Sequence, residues 1–519
     1  MIENVINMEH NLIGVIDVGS NSIRFVVYDN SQRWPNYFYN EKIMLGLGSE
    51  LTETGKLHPK GRIRALKALE RFGEIAKSMN LNRLVAIATE AVRIALDGKD
   101  FCESVYEITG IKLKIITGAE EAKLSAQGIL LGWPQASGLV CDIGGASLEL
   151  AQLEAGKITI HRSSKLGPMA VLGRLFDPIL KQNHINSEIG KLFAGFKLEN
   201  NKLFLVGGSW RALAKLDMKR KEYPLQIVHG YIVSPEDISS TLKFAVSKKI
   251  KEFPEDVNIN QFRVKLIPTA AEILIEFLKN IKVKKIIFSG YGIREGILYE
   301  NLSNEIREQN TLINDARLLE LNQSRFPGFG DKLYKWVSPL FSNLDNNSKR
   351  LVHVICLLHD VHWRIHPDHR SNFCFESTLL SNLGGLSHEE RIFLATCFLH
   401  RYKIKSILAD RVKINEPLNN KQISLAQTIG SAVRLGAMIN GSDLEKMGHL
   451  SVTSESIILE LNVSGKTKVT RTKLYDNGFD FQFFTSVYKT KTGNTYLYVY
   501  NEGYLALEND TFLLIRKER

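Results

Sequence analysis

A short pattern that occurs twice constrains this chain more than any other feature. The apolar run Leu12 to Ile16 ends in Asp17-Val-Gly-Ser-Asn-Ser and resumes as Ile23 to Tyr28. About 125 residues later, Gly138 to Cys141 ends in Asp142-Ile-Gly-Gly-Ala-Ser and resumes as Leu148 to Leu153. Each copy reads as a strand, a tight polar turn and a second strand. The repeat predicts a duplicated domain whose two turns face each other. From residue 12 to about 300, apolar β-branched runs alternate with amphipathic helical stretches, which is an α/β pattern.

The same turns suggest a chemistry. A turn rich in Gly and Ser points several backbone N–H groups one way, and its hydroxyls add donors, making a cradle for phosphate oxygens. Ser20, Asn21 and Ser22 form one candidate cradle, and Gly144, Gly145, Ala146 and Ser147 the other. An acid at the strand end can hold Mg²⁺, which takes oxygen ligands and bridges to phosphates, so Asp17 and Asp142 are candidate ligands. Glu149 returns to the same face of its strand two residues beyond Ser147. Either turn alone is equally an ordinary hairpin.

Two further stretches pass from strand through glycine turn to helix. They are Leu205-Val-Gly207-Gly208-Ser209-Trp-Arg211 and Ile287-Phe-Ser289-Gly290-Tyr-Gly292-Ile-Arg294-Glu. Their helix starts would favour anions, although such turns also serve merely to reverse the chain. Thr117-Gly118-Ala-Glu120-Glu121 opens a helix, where acids are common as caps. The alternative is that one carboxylate orients a water for attack on phosphorus. Thr89 and Arg93 lie in a similar passage, where Arg93 is either a surface residue or a neutraliser of transferring phosphoryl oxygens.

At 519 residues the chain exceeds one compact core, which predicts three or four domains. Its net charge of +11 suits an anionic substrate, but the basic residues are dispersed and choose none. No apolar run approaches the length needed to cross a bilayer. The first dozen residues carry Glu3 and Glu9 and lack the pattern of an export signal, so a cytoplasmic protein is expected. Five cysteines without paired spacing read as buried free thiols. Residues 310 to 440 show helical apolar spacing, and the last seventy alternate polar and apolar as strands do. The expected domains are 1–127, 128–305, 306–445 and 446–519.

In order and spacing, six stretches resemble the exopolyphosphatase and guanosine pentaphosphate phosphohydrolase (Ppx/GppA) family. They are Asp17-Val-Gly-Ser-Asn-Ser, Thr89 with Arg93, Gly118-Ala-Glu-Glu-Ala, Asp142-Ile-Gly-Gly-Ala-Ser-Leu-Glu149, Val206-Gly-Gly-Ser209 and Ser289-Gly-Tyr-Gly-Ile-Arg-Glu-Gly296. The resemblance implies two ribonuclease-H-like domains of the actin-like ATPase fold with the active site between them. It then implies a helical HD-like domain and a small strand-rich α+β domain. It makes Glu121 the residue that activates water, and Asp142 and Glu149 ligands or near-ligands of Mg²⁺. Arg93 and the turn donors, Gly207, Gly208 and Ser209 among them, would hold the phosphates. The substrate would be inorganic polyphosphate or a guanosine polyphosphate, with a homodimer and neither nucleic acid nor membrane as partner. Family members often carry a third glycine and Ser-Thr where this chain has Ala146-Ser147-Leu148, which bears on turn geometry because Ala resists positive φ.

His359-Asp360 falls where the name-giving pair of an HD site would lie. No convincing upstream His is present in Phe326-Pro-Gly-Phe-Gly-Asp331, so the pair reads as a structural remnant. Three rival functions are a guanosine pentaphosphatase, a kinase or ATPase of the same superfamily, and a polyphosphate- or nucleotide-sensing module with a decayed site.

Overall fold

The computed structural model describes residues 11–29, 33, 35–174, 177–247, 253, 259, 261–402, 414, 417–439 and 444. Beyond these it describes seven strand segments, 448–452, 456–463, 466–473, 486–489, 495–499, 503–508 and 511–515. Residues 1–10 of the segment read for an export signal, and the divide expected near 445, lie outside the described residues. The chain separates into two compact units, Met1–Gln309 and Asn310–Arg519.

The first unit holds two sheets. The strands of the first are β1 Leu12–Val18, β2 Ser22–Asp29, β3 Tyr37–Met44, β4 Arg83–Ala88 and β5 Leu113–Ile115, in the order β3-β2-β1-β4-β5. Those of the second are β6 Gly138–Ile143, β7 Leu148–Glu154, β8 Lys157–Ser164, β9 Lys202–Gly207, β10 Tyr231–Val233 and β11 Lys285–Phe288, in the order β10-β11-β9-β6-β7-β8. Read from its β8 edge, the second sheet repeats the first. In each, an antiparallel meander of three strands continues into two parallel ones, β1–β4–β5 and β6–β9–β11. The repeated Asp-turn hairpins are the corresponding pairs β1–β2 and β6–β7.

The central strands are buried on both faces, as their near-continuous apolar runs require. One core lies on each sheet, around Phe25 and Phe72 in the first and around Trp210 and Phe277 in the second. The helices Gly118–Gly132 and Ile293–Asn301 pack against each other. A Cβ on Gly296 would meet the Leu124 carbonyl at 1.8 Å, and one on Gly128 the Gly292 carbonyl at 2.3 Å. Only glycine permits backbones this close. The divide expected near residue 127 falls inside the first of these helices.

The second unit begins with helices Thr311–Gln323, Phe329–Val337, Asn346–Leu358, Pro367–Leu380, His388–Arg401 and Asn420–Ile439. Two antiparallel sheets follow, one of β12 Gly448–Val452, β13 Ser456–Val463 and β14 Lys466–Lys473. The other consists of β15 Ser486–Lys489, β16 Thr495–Val499, β17 Gly503–Glu508 and β18 Thr511–Ile515. All five cysteines are free, and all but half-buried Cys102 are buried. Among the described residues no helix is long and apolar enough to cross a membrane.

Candidate active site

The two hairpins aim their acids by register. In β1–β2, Asp17 lies opposite Arg24, and in β6–β7, Asp142 lies opposite Glu149. A hairpin alternates faces, so directly opposed residues share one. The turns themselves meet: a Cβ on Gly145 would stand 3.7 Å from that of Ser20. Gly144 N–H closes its turn on the Ser147 carbonyl at 2.9 Å, and Gly19 N–H closes the other on the Ser22 carbonyl at 3.0 Å. Ala146 is not among the non-glycine residues with positive φ, so this turn does not require glycine there.

Gly207 sits at φ +108°, where a Cβ would meet the Ile143 carbonyl at 2.4 Å and Asp142 Oδ1 at 2.8 Å. Its missing side chain lets the end of β9 and the helix Gly208–Arg220 close on the Asp142 carboxylate. Ser209 is buried in the first turn of that helix. Thr89 is buried beside the end of β1, with its N–H donating to the Val18 carbonyl at 3.1 Å.

The helix Gly118–Gly132 divides its two adjacent acids. Thr117 and Glu120 form a reciprocal capping box, with Thr117 N–H donating to Glu120 Oε2 at 2.8 Å and Glu120 N–H to Thr117 Oγ1 at 3.1 Å. Lys114 binds the other Glu120 oxygen at 2.7 Å. These bonds hold the Glu120 carboxyl down at about 2. Glu121, one residue on, is 5% exposed and turns inward. Burial pushes its carboxyl up to about 8 against the pull of Arg93, and Asp142 and Asp17 push the same way.

Its neighbours share that environment. Burial raises Asp17 and Asp142, and raises Glu149 well above the usual carboxylate range, with Glu121 and Asp142 adding to the last. Ser125 Oγ donates to Asp142 Oδ2, and Ser163 Oγ to Glu149 Oε1 at 2.8 Å. Four carboxylates thus stand near enough to oppose one another's ionisation. Arg93 is the cation that bonds to Glu121. It donates through Nε and Nη2 to Glu90, and through Nη1 to Glu121 at 3.1 Å and the Ile116 carbonyl at 2.6 Å.

A bank of cations faces these acids. Lys42, an exposed residue of β3, is lowered to about 8 by partial desolvation, and Arg263, Arg24, Arg211 and Arg294 all contribute. Burial and then Arg263 and Arg294 lower Arg211 to about 10. The Arg294 Nε lies 3.8 Å from Asp17 Oδ2. Five positive side chains drawn from β2, β3 and three separate helical segments therefore crowd one place. Buried Glu295 stands among them and favours the charged forms of Arg294, Arg24 and Arg211, so it offsets part of their mutual repulsion.

The sequence reading named Asp17, Ser20, Asn21, Ser22, Thr89, Arg93, Glu121, Asp142, Gly144, Gly145, Ala146, Ser147, Glu149, Gly207, Gly208 and Ser209, and all belong to the first unit. The four acids, Arg93, the Ser20–Gly145 approach and Gly207 are tied together by the contacts above. It missed Glu90, Ser125, Ser163 and the cation bank. Hairpin alternation placed Arg24 opposite Asp17, and Arg211 and Arg294 stood inside noted glycine turns; Ser163 carried no local signal.

The Ppx/GppA phosphatase family profile matches residues 26–305, more than half of the 519-residue chain. The chain belongs to this family. An exopolyphosphatase C-terminal profile matches residues 312–463. The chain is 26% identical over 351 residues to Retrograde regulation protein 2 of Saccharomyces cerevisiae, covering 60% of itself and 59% of that protein. It is 32% identical over 142 residues to Exopolyphosphatase 1 of Mycobacterium bovis, covering 27% of itself and 41% of that protein. The matches thus span less than two thirds of either relative. An exopolyphosphatase structure from Cytophaga hutchinsonii superposes with a TM-score of 0.51 at 23% identity, covering 56% of this chain and 99% of that one. That likeness bears on fold: the family's actin-like ATPase fold with mixed sheets, followed here by a helical C-terminal region.

Proposed function

We propose that the chain is an exopolyphosphatase that releases orthophosphate from the end of inorganic polyphosphate. One observation carries this reading: buried Glu121, Asp142 and Glu149, with half-buried Asp17, stand against Arg24, Lys42, Arg211, Arg263 and Arg294. Acids and bases gathered side by side suit a site that takes a polyanion together with a divalent cation. The family match and the 32%-identical relative support the same reaction class.

In this reading a water oxygen attacks the terminal phosphorus while Glu121 accepts the water proton. The bond from that phosphorus to the bridging oxygen breaks, and the oxygen leaves with the shortened chain. Arg93, itself held by Glu90, orients Glu121 and keeps part of it ionised. The cation bank neutralises the remaining phosphates.

Mg²⁺ belongs to the same proposal. Among the described residues no three His, Cys, Asp or Glu side chains are grouped closely enough to hold a metal by themselves. Mg²⁺ does not ask for that, since it commonly takes one or two carboxylates, with water and substrate phosphate completing its shell. The crowded acids fit it, and one or two of Asp142, Glu149 and Asp17 would hold it. When bound, it would neutralise charge on the phosphoryl oxygens.

The matched strand orders of the two sheets support reading the first unit as a pair of ribonuclease-H-like domains. The helices after residue 310 fit an HD-like domain, and the remaining strands a small domain of their own. Release of orthophosphate from long polyphosphate, measured with and without Mg²⁺ and compared by kcat/KM with guanosine pentaphosphate, tests the assignment. Preference for the nucleotide would replace the substrate, and turnover of neither would remove the proposal.

A further inference from the structure

The helical unit contains a second cluster of charged groups, built around His359-Asp360. Both Asp360 oxygens accept from Arg325: Nη2 reaches Oδ1 at 2.6 Å, Nε reaches Oδ2 at 3.0 Å, and the Arg325 backbone N–H reaches Oδ2 at 3.1 Å. A guanidinium thus occupies the carboxylate that an HD metal site would use. Asp360 spends its hydrogen bonds on Arg325, and acts on His359 and Arg401 through space alone.

Next to this pair, Arg325, Phe326, Phe329, His359, Asp360 and Arg401 line a cavity of about 30 Å³. Among the described residues, Arg401 donates no hydrogen bond and forms no ion pair. Its Nε is shut off from solvent, and its guanidinium carbon lies 4.8 Å from the Tyr402 ring centroid. His359 is 5% exposed, and its Nδ1 is engaged by the Cys356 carbonyl at 2.8 Å. That bond fixes the proton on Nδ1 in the neutral ring and leaves Nε2 without a hydrogen-bond partner among the described residues. Burial and then Arg401 hold the imidazole down at about 4. Arg325 also has Nη1 to spare.

Arg401 is half-buried, and its Nε lies shut off from solvent without a hydrogen-bond partner among the described residues, a costly state that a bound acceptor would relieve. Subtracting the Arg325–Asp360 pair leaves one net positive charge, on Arg401. The donors left over are the Arg401 guanidinium fork and Arg325 Nη1 beside an imidazole, and Phe326 and Phe329 supply apolar walls. The cavity has room for about two water-sized centres by the usual measure, which excludes a nucleoside or sugar. Guanidinium forks match the oxygen spacing of phosphate.

We propose that the cavity at Arg401, His359 and Arg325 binds a single phosphate-sized oxyanion. The ligand is either free orthophosphate or the end group of a longer phosphate chain, which present the same chemistry to the cavity. The site uses no residue of the candidate active site and stands whether or not the proposed hydrolysis is correct.

The test uses the full chain with histidine labelled at Cε1, its His359 signal identified by loss in His359→Gln. Inorganic phosphate and pyrophosphate are titrated separately at constant ionic strength, with sodium chloride as the control. The expected result is a saturable shift of the His359 signal with one of the two phosphates and none with chloride. Arg401→Met should weaken it at least ~10-fold, the loss expected from removing a charged partner, and Arg401→Lys should retain part of it. Stronger binding of pyrophosphate assigns the chain end, and stronger binding of orthophosphate the free ion. A His359 signal in the unaltered chain that answers neither phosphate overturns the proposal, and so does an unchanged curve in folded Arg401→Met.

Discussion

Glu120 and Glu121 are adjacent in the chain and opposite in environment. Glu120 closes the capping box with Thr117 and pairs with Lys114, while Glu121 is buried against Arg93. One carboxylate is held at about 2 and its neighbour pushed up to about 8. Carboxylates whose environments part them in this way divide structural and chemical work between them.

Their substitutions should separate accordingly. Glu121→Gln should lower kcat by ~10²–10⁴-fold, the usual worth of a general base, while filter binding of polyphosphate stays near its original level. Glu120→Gln should leave kcat almost unchanged and weaken the helix start by about 0.3–1.5 kcal/mol, read from urea unfolding. Equal loss of turnover in both variants would refute the division.

The raised Glu121 carboxyl has a consequence for stability. Its ordinary value is 4.5 and its folded value about 8, so between these the folded protein holds a proton that the unfolded chain has released. The contribution is full below about pH 4.5 and is lost as pH rises through 8. Thermal midpoints measured without metal should therefore fall over this window, and the fall should flatten in Glu121→Gln. Added Mg²⁺ should stabilise more at pH 8 than at pH 6, because it competes with protons for these carboxylates.

Arg93 lowers the Glu121 carboxyl, so its removal should move that group further up. In Arg93→Met the rising limb of kcat/KM against pH should shift to higher pH, together with a lower maximum. An unshifted limb would assign Arg93 to substrate alone.

The cation bank should act in binding. Lys42→Met and Arg211→Met should each raise KM for polyphosphate about 10-fold with little change in kcat, the signature of lost uniform binding. Both should flatten the dependence of KM on salt, since fewer charges remain to be screened. Initial rates from low to moderate sodium chloride check this.

Gly207→Ala tests the backbone. The new Cβ would enter φ +108° and press on the Ile143 carbonyl and Asp142 Oδ1. Residues forced into such regions cost about 1–3 kcal/mol, which urea unfolding should show along with reduced turnover.

Much of the arrangement was legible locally because β hairpins carry their own geometry. The Asp17 and Asp142 turns announced the duplication, and period-two alternation placed Glu149 on the face of its strand that matters. The Thr117–Glu120 spacing announced a helix start, but it left open which acid would cap. That choice follows from which side of the helix meets the sheet, a tertiary matter. Lys42 looked like any basic residue of an edge strand, and Arg263 carried no motif. Their meeting with Arg24, Arg211 and Arg294 comes from elements far apart in the chain.

By itself the sequence determined the α/β class, the two acid-ended hairpins and the glycines that let backbones close on one another, since these follow from side-chain alternation and sterics between near neighbours. Only the tertiary structure decided that Glu121 rather than Glu120 is buried, that Arg93 is held by Glu90, and that five cations from distant segments gather beside Asp17 and Asp142. Those outcomes depend on burial and on Coulomb interactions between distant segments, and neither exists until the chain has folded.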